Sequence, residues 1–432
     1  MNEIIVHPDV NRLPAPRANR IPVHLYGARP PVPGAGCIGG PIFNQITRVQ
    51  SELDPVAFDL LSLSMAVTAA DTFANRDLAP DGWARRIKLK VALADAAPWQ
   101  AVIPTLERAL GFLSGDEWSL RIIGGGEEPP EARTRVQHKV SLAGSDCVCL
   151  YSGGLDSAIG ALDLRSQGRR PVLVSHAYPR DAARQEELLS HLGGGVVRFA
   201  TSAHPVARLG RGHDVQMRTR SFNFLAMGAL MATALGGGRK TLFVPENGLI
   251  AINPPLTNRR IGALSTRTTH PHYLRLVQSV LDTVGIDVAL VNPYAQMTKG
   301  EMMTNCAEQL RLGRMAKRTV SCGKWKRSGM QCGRCVPCLI RRASFHAAGR
   351  QDRTDYAPQA VDLLRYFESG KESDDLMAMM LACEALDDMD MEAWVAKTGP
   401  LHLAEGDRQA RVAAVHRGMI EVRDFLGSHH LV

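Results

Sequence analysis

The sequence predicts an α/β protein that is built around a parallel sheet, with an N-terminal α+β domain and a C-terminal helical region. With 432 residues, the chain is too long for one ordinary hydrophobic core, so more than one domain is expected. From residue 145 onward, short apolar strands alternate with helical segments, which is typical of a parallel sheet covered on both faces. After residue 350 only helical patterns remain.

The N-terminal domain is assigned to residues 1–140. Its first 45 residues are rich in proline and glycine and are predicted to form an extended, irregular entry. Beyond them, helical spacing of apolar residues predicts helices at 54–74 and 99–113. Alternation of apolar residues predicts a strand at 85–93, and a second strand is expected at 117–123. The polar stretch 124–139 is expected to be a linker.

The central domain is assigned to residues 141–350 and the helical region to 351–432. The predicted strands of the central domain are CVCLY, PVLVSHA, VVRFA, TLFVPE and DVALVNP. In a sheet of this kind, ligands bind beyond the carboxyl ends of the strands. The methionine-rich segment after residue 374 is interpreted as core packing of the helical region.

The composition favours a cytoplasmic protein with anionic ligands. The net charge is +8, which suits nucleotides and leaves nucleic acid open as a partner. The start of the chain lacks the apolar core of a signal peptide, and the longest apolar stretch, 224–238, is too short to span a membrane. Nine cysteines in a chain with no leader are expected to be reduced.

The segment SGGLDS, residues 152–157, joins a predicted strand to a predicted helix. Glycines let the backbone approach a ligand, and the N–H groups of the following helix attract an anion. The hydroxyls of Ser152 and Ser157 can donate to phosphate oxygens, whereas a carboxylate repels them. We therefore expect Asp156, exposed at the helix start, to bind Mg²⁺ that bridges to the phosphates.

Four cysteines near the end of the central domain predict a metal site. Their spacing is C-x9-C-x2-C-x2-C, within residues 322–338. The predicted ligands are Cys322, Cys332, Cys335 and Cys338. Four thiolates without histidine suit a structural Zn²⁺, and an iron–sulfur cluster is the alternative. The remaining cysteines are expected to be buried apolar residues.

The glycine motif resembles the PP-loop of the ATP pyrophosphatases, which have a Rossmann-like sheet. Together with the later CGRC and VPC, it resembles the QueC family of 7-cyano-7-deazaguanine synthases. The resemblance covers about residues 145–350 and implies ATP as a ligand. It implies that Ser152, Gly153, Gly154, Leu155, Asp156 and Ser157 hold the nucleotide.

Further site residues follow from the same resemblance. The segments RSFNFL and NPYAQMTKGEM match family segments and give Arg220 and Lys299 as groups that stabilise phosphate charge. Thr298 and Glu301 also predict a capping box that leaves Lys299 free to face pyrophosphate. Substrate-binding candidates are Glu246 and Asn247, after the strand TLFVPE, and His270, in the loop STRTTHPH.

The resemblance implies an ATP-dependent ligase or synthase that adenylates 7-carboxy-7-deazaguanine and releases pyrophosphate. An amine then displaces AMP. The longer chain and the segments RTRSFNF and STRTTHPHYL resemble QatC, the QueC-like component of the Qat anti-phage defence systems. This implies partners from one operon: a small acceptor protein, an ATPase and a TatD-like nuclease. We expect the acceptor protein to carry the amine.

Three alternatives stay open at this point. The first is a synthase of 7-cyano-7-deazaguanine that uses free ammonia. The second is a PP-loop enzyme that thiolates tRNA, which would need a redox-active cysteine near the loop. The third is a non-catalytic, nucleotide-binding scaffold of a defence complex, although the intact Ser152, Asp156 and Ser157 favour an enzyme.

Overall fold

Two mainly parallel sheets organise the computed structural model, which describes residues 2–79, 81–135, 137–207, 217–257, 267–325, 329–369 and 374–432. The described residues form eleven strands. They are β1 (Asn2–His7), β2 (Arg20–Gly27), β3 (Gly36–Gly39), β4 (Arg86–Ala92), β5 (Glu117–Ile123), β6 (Cys147–Leu150), β7 (Pro171–His176), β8 (Val197–Thr201), β9 (Val206–Ala207), β10 (Lys240–Phe243) and β11 (Val288–Val291). The predicted α/β fold with helices around parallel strands is confirmed.

The N-terminal sheet has the strand order β5-β4-β1-β2-β3-β9. Its first five strands are parallel, and only β9, which comes from the central part of the chain, is antiparallel. The expected irregular entry at residues 1–45 is therefore wrong. Runs such as NEIIVH and RIPVHLYG bury their apolar side chains in the sheet, and the prolines and glycines lie between the strands.

The helices of the N-terminal domain pack against this sheet. They are α1 (Gly40–Ile46), α2 (Pro55–Phe73), α3 (Ala97–Gln100) and α4 (Ile103–Ser114). Helix α2 begins at the cap Asp54, whose carboxylate accepts from the backbone N–H of Ala57 at 2.8 Å. By length and composition α2 would suit a membrane span, but 94% of its apolar window is buried inside the protein. It is thus the core helix of this domain.

The central sheet has the order β11-β10-β6-β7-β8, and all its strands are parallel. The chain runs outward from β6 through β7 to β8 and then returns to the other side of β6 with β10. The order therefore reverses between β6 and β10. A reversal of this kind opens a crevice at the carboxyl ends of the two strands, which is where such sheets bind ligands.

Helices cover both faces of the central sheet. The helices of the central domain are α5 (Leu155–Ser166), α6 (Pro179–Leu189), α7 (Arg220–Thr233), α8 (Gly248–Ile252), α9 (Pro271–Val284), α10 (Lys299–Asn305), α11 (Gln309–Met315) and α12 (Val336–Ala347). Residues of α2 and of α7 belong to one continuous apolar core, so α7 joins the N-terminal domain to the central sheet.

The C-terminal region is helical among its described residues, as predicted. Its helices are α13 (Leu363–Glu368), α14 (Asp374–Glu384), α15 (Met391–Ala396) and α16 (Glu405–Gly427). Met379, Met380 and Met419 pack in a core that the region shares with α8 and α12. Much of the methionine-rich segment is therefore core, although Met377 is 40% exposed, and α16 lies against helices of the central domain.

Candidate functional site

The glycine loop lies at the reversal of strand order. It leaves β6 after Leu150 and enters α5 at Leu155. Gly153 has φ +85°, a left-handed conformation that favours glycine. The hydroxyl oxygens of Ser152 and Ser157 lie 3.2 Å apart, and the backbone N–H of Gly154 donates to Ser152 Oγ at 3.2 Å. The loop thus brings two hydroxyls and a helix N-terminus to one point, as a phosphate site requires.

Asp156 is buried rather than exposed, so the sequence-based expectation of an exposed carboxylate is wrong. Its carboxylate pairs with the Lys299 ammonium and accepts from Asn247, from the backbone N–H at 3.1 Å and from Nδ2 at 2.7 Å. Burial alone would raise the pKa of Asp156. The charge of Lys299 and the hydrogen bonds outweigh burial and hold that pKa below its usual range.

Lys299 is likewise not free, as the sequence had suggested. It is buried at the start of α10, and its side chain reaches across to Asp156. The capping box is confirmed: Thr298 Oγ1 accepts from the N–H of Glu301, and the Glu301 carboxylate accepts from the N–H of Thr298 at 2.9 Å. The cap fixes the first turn of α10, and so fixes the origin of the Lys299 side chain.

Glu246 completes this inner polar cluster. Burial, and then the negative charge of Asp156, raise the pKa of Glu246 well above its usual range. Asn247 Nδ2 also donates to Glu246 Oε1, at 3.2 Å. Asn247 in turn caps α8, because its Oδ1 accepts from the N–H of Ile250 at 3.1 Å. The structure therefore gives Asn247 internal partners, whereas Glu246 also faces the cavities described next.

Two adjoining cavities open from the loop. The larger has a volume of about 770 Å³ and the smaller a volume of about 300 Å³. Their shared wall consists of Ser152, Ser157, Pro245, Glu246, Val320 and Ser321. Arg220 lines the larger cavity, with its guanidinium over the Tyr178 ring and Nη2 at 3.6 Å from an Asp181 carboxylate oxygen. Asp156 and Lys299 line the smaller one. The loop, Arg220 and the inner cluster thus face one connected space.

Several wall residues were missed from the sequence. Tyr178, Asp181 and Trp325 line the larger cavity, as do Thr268 and Thr269. The first two follow β7, and their place beyond a strand end was the available signal. The two threonines immediately precede His270 in the chain. Trp325 is a single aromatic residue between the first and second predicted cysteine ligands, and no motif distinguishes it.

His270 does not reach the cavities, contrary to the sequence-based expectation. Its Nε2 lies 2.9 Å from Thr398 Oγ1, its Nδ1 accepts from the N–H of His272, and its ring packs on Phe112. Burial lowers the pKa of His270 to about 3, so the ring is neutral. His270 caps α9 and packs between the N-terminal domain, through Phe112, and the C-terminal region, through Thr398. Ser265 and Thr266 of the same loop lie outside the described residues.

The four predicted cysteine ligands converge. All are buried, and their sulfur atoms lie within 4.8 Å of one another. Cys322 and Cys335 sulfurs are 3.9 Å apart, and those of Cys332 and Cys338 are 4.0 Å apart. A tetrahedral ion with bonds of about 2.3 Å to sulfur needs sulfurs about 3.8 Å apart. The spacing fits one such ion, whereas an iron–sulfur cluster places several atoms between its cysteines.

The other cysteines are buried, as expected from the sequence. Burial raises the pKa of Cys147 to about 12, and it raises the pKa of Cys149 as well. Both lie on β6 and hold their protons at neutral pH. They are therefore poor nucleophiles, and nothing in their surroundings favours the thiolation alternative.

Comparisons with known proteins agree with this geometry. Residues 269–349 match the family described as "Queuosine biosynthesis protein QueC". A 7-cyano-7-deazaguanine synthase of Methylobacillus flagellatus is 40% identical over 235 residues, which are 49% of this chain and 96% of that protein. Synthases of the same description from Ectopseudomonas mendocina and Cupriavidus necator are 27% and 29% identical, over 97% and 98% of their lengths. About half of this chain therefore corresponds to nearly all of each relative.

Proposed function

The chain belongs to the QueC family, and from that premise we propose that it is an ATP-dependent enzyme that activates 7-carboxy-7-deazaguanine. The observation that carries the proposal is the position of the glycine loop. Its two serine hydroxyls and the start of α5 lie at the crevice between β6 and β10, and they open into two connected cavities. This crevice can hold ATP beside a planar acid.

The phosphates of ATP would lie in the glycine loop. Ser152 and Ser157 donate hydroxyl hydrogen bonds to phosphate oxygens, and the N–H groups that begin α5 add their partial positive charge. Arg220 supplies a cation to the larger cavity and Lys299 supplies one to the smaller. Fixed donors of this kind stabilise the charge that develops as pyrophosphate leaves, because they need no reorganisation during the reaction.

Asp156 and Glu246 are the residues that would hold Mg²⁺. They are two neighbouring carboxyl groups on the cavity wall, and oxygen ligands of this type fit the ion. When bound, Mg²⁺ would neutralise phosphate charge. The four-cysteine centre would hold Zn²⁺ in a structural role.

The proposed reaction has two steps. A carboxylate oxygen of the deazaguanine acid attacks the α-phosphorus of ATP, the bond to pyrophosphate breaks, and an acyl-adenylate forms. An amine then attacks the acyl carbon, AMP leaves with the bonding electrons, and an amide results after loss of a proton. Positioning the two reactants in adjoining cavities supplies much of the rate.

We further propose that the amine belongs to a partner protein in an anti-phage defence operon. About half of this chain lies outside the length shared with the synthases, which is more surface than a small nucleophile requires. An N-terminal amine is a suitable nucleophile, because its pKa of about 7.7–8.0 leaves a neutral fraction near pH 7. Under this proposal the protein acts in the cytoplasm beside a small acceptor protein, an ATPase and a TatD-like nuclease.

The test incubates the protein with ATP, 7-carboxy-7-deazaguanine, ammonium and the small acceptor protein. We expect release of AMP and pyrophosphate together with a mass increase on the first residue of the acceptor. Formation of only the free amide or nitrile would contradict transfer to a protein and support an ammonia-dependent synthase. Absence of AMP and pyrophosphate would contradict the enzyme itself.

A further inference from the structure

The two cations of the site share one local arrangement. Arg220 is the first residue of α7, and Lys299 is the first residue of α10. Each follows a threonine, Thr219 or Thr298, and both threonines are buried. Each threonine donates a hydrogen bond to a carboxylate from outside the central domain. The N-terminal domain supplies one of these carboxylates, and the C-terminal region supplies the other.

The N-terminal contact comes from Asp71, near the end of α2. Its Oδ2 accepts from Thr219 twice, from the backbone N–H at 2.8 Å and from Oγ1 at 2.9 Å. Its Oδ1 pairs with Arg85 Nη2 at 2.5 Å, and Arg85 also pairs with Asp116 at 2.6 Å. All these groups are buried. The ionic network fixes the Asp71 carboxylate, which in turn fixes the residue before Arg220.

The C-terminal contact comes from Glu421, on α16. Its carboxylate accepts from the Thr298 hydroxyl and, at 3.2 Å, from the backbone N–H of Gly300. One turn earlier on α16, Arg417 pairs with the Glu301 carboxylate, with Nε and Oε1 2.6 Å apart. A Cβ at position 300 would overlap the Glu421 carboxylate, which would have to shift if the glycine were replaced. Helix α16 thus holds the first turn of α10 on both sides of Lys299.

These contacts act on the cations through the backbone. A shift of Thr219 or Thr298 moves the adjacent Cα, and with it the start of the Arg220 or Lys299 side chain. Neither Asp71 nor Glu421 is among the described residues that line the two cavities. Displacements of about 1 Å far from the reacting atoms can cost about a hundredfold in rate. A carboxylate outside the cavity can therefore still control the phosphate contacts.

We propose that Asp71 and Glu421 are positioning residues, each of which holds the threonine that precedes one cation of the nucleotide site. The flanking regions then set the geometry of the site in addition to any part they play in binding partners. The inference rests on the proposed function, in which Arg220 and Lys299 contact the phosphates of ATP.

The test measures the dissociation constant of α,β-methylene-ATP with Mg²⁺ by calorimetry, which requires neither acceptor nor turnover. Glu421→Ala removes the acceptor for Thr298 and Gly300, and Thr219→Val removes the hydroxyl that Asp71 holds without changing its shape. Each variant is expected to bind the analogue about tenfold more weakly, the effect of losing roughly one well-placed hydrogen bond. Glu421→Gln and Thr219→Ser keep hydrogen-bonding groups, and we expect them to restore binding to within about twofold.

Matched controls remove other contacts of α2, α7 and α16 without touching either threonine. Ser64→Ala deletes a buried hydrogen bond between α2 and α7, in which Asn223 Nδ2 donates to Ser64 Oγ at 2.9 Å. Arg423→Gln deletes an exposed ion pair of α16 with Asp387, at 2.7 Å. Both controls are expected to bind the analogue like the wild type, even where their unfolding temperature falls.

Wild-type affinity in Glu421→Ala and Thr219→Val would overturn the inference, and so would equal losses in the two controls. Failure of both conservative variants to restore binding would do the same. The proposed function is judged separately, by pyrophosphate release from the wild type with 7-carboxy-7-deazaguanine. A wild type that binds the analogue but releases no pyrophosphate would refute only that function, and a wild type that binds no analogue would refute both.

Discussion

The four-cysteine centre and the glycine loop border the same cavity, but their polar groups are used differently. Cys322 and Ser152 both lie in its wall, and the backbone N–H of Val320 connects the two by donating to the Gly153 carbonyl at 3.0 Å. In the centre, the four sulfurs face one another and are buried. In the loop, Ser152 and Ser157 line the cavity.

This difference indicates that the four-cysteine centre contributes to stability and the glycine loop to the reaction. A closed set of ligands gains most of its free energy from the ion that it encloses, so its loss should unfold the surrounding chain. An open set keeps its hydrogen-bonding capacity for a ligand, so its loss should leave a folded but inactive protein. The buried pair of Asp156 and Lys299 lies between these extremes, because it contributes to both the interior and the cavity wall.

The largest effect is expected from Cys335→Ser. It removes one ligand of the closed centre, and metal-coupled folding contributes on the order of 10 kcal/mol in small zinc domains. We therefore expect loss of the cooperative unfolding transition, measured by calorimetry, and metal analysis of the wild type should find about one zinc per chain. Iron with visible absorbance, or an unchanged transition in the variant, would contradict this assignment.

The second largest effect is expected in the glycine loop, at Asp156. Asp156→Asn keeps the shape of the side chain and removes its charge, so the protein should stay folded while pyrophosphate release falls by at least about a hundredfold. Asp156→Ala should lose the same activity and also about 3–5 kcal/mol of stability, because it removes both the charge and the acceptor oxygens that the buried Lys299 ammonium and Asn247 use. Asp156→Asn keeps an acceptor oxygen and should lose less stability than Asp156→Ala. Activity close to that of the wild type in either variant would refute the role of Asp156.

A smaller effect concerns the pH dependence of stability. Glu421 contacts Thr298, the residue before Lys299, and its carboxyl group is itself titratable. The pKa of Glu421 is raised to about 7, chiefly by burial. The negative charge of Glu301 also raises this pKa, whereas the positive charge of Arg417 lowers it. The folded carboxyl therefore keeps its proton where the unfolded one has lost it. Stability should fall as pH rises from about 4.3, the ordinary value of a glutamate, through 7.

Glu421→Gln removes this pH dependence. Its free energy of unfolding should match the wild type near pH 5 and exceed it by about 1–3 kcal/mol at pH 8, measured by denaturant titration. Arg423→Gln, on the same helix, serves as the control and should keep the slope of the wild type. A parallel pH profile in Glu421→Gln would contradict this prediction, because it would show that folding does not raise the pKa of Glu421.

The smallest effect should come from a cysteine outside the centre. Cys147→Ala creates a small cavity in β6 and should cost about 1 kcal/mol of stability. Turnover should stay at the wild-type level, because the raised pKa of Cys147 keeps its thiol protonated. A loss of turnover without a loss of folding would revive the thiolation alternative.

Local patterns were sufficient for the fold class and for both motifs. The alternation of apolar strands with helices predicted the central sheet, and each predicted strand there overlaps an observed one. The same reasoning missed the three strands within residues 1–45, because their prolines and glycines suggested an irregular segment. In a sheet assembled from distant segments, such residues can occupy the connections while short runs between them pair.

The sequence by itself determined the groups that act over a few residues. A loop between a strand and a helix, and four cysteines within 322–338, converge because short chain segments leave them little freedom. Only the tertiary structure decided the partners of the charged groups. Lys299 meets Asp156 across 143 residues, and Thr219 meets Asp71 across 148. Such partners depend on how helices pack, and burial then decides which carboxyl keeps its proton, so neither could be read from spacing along the chain.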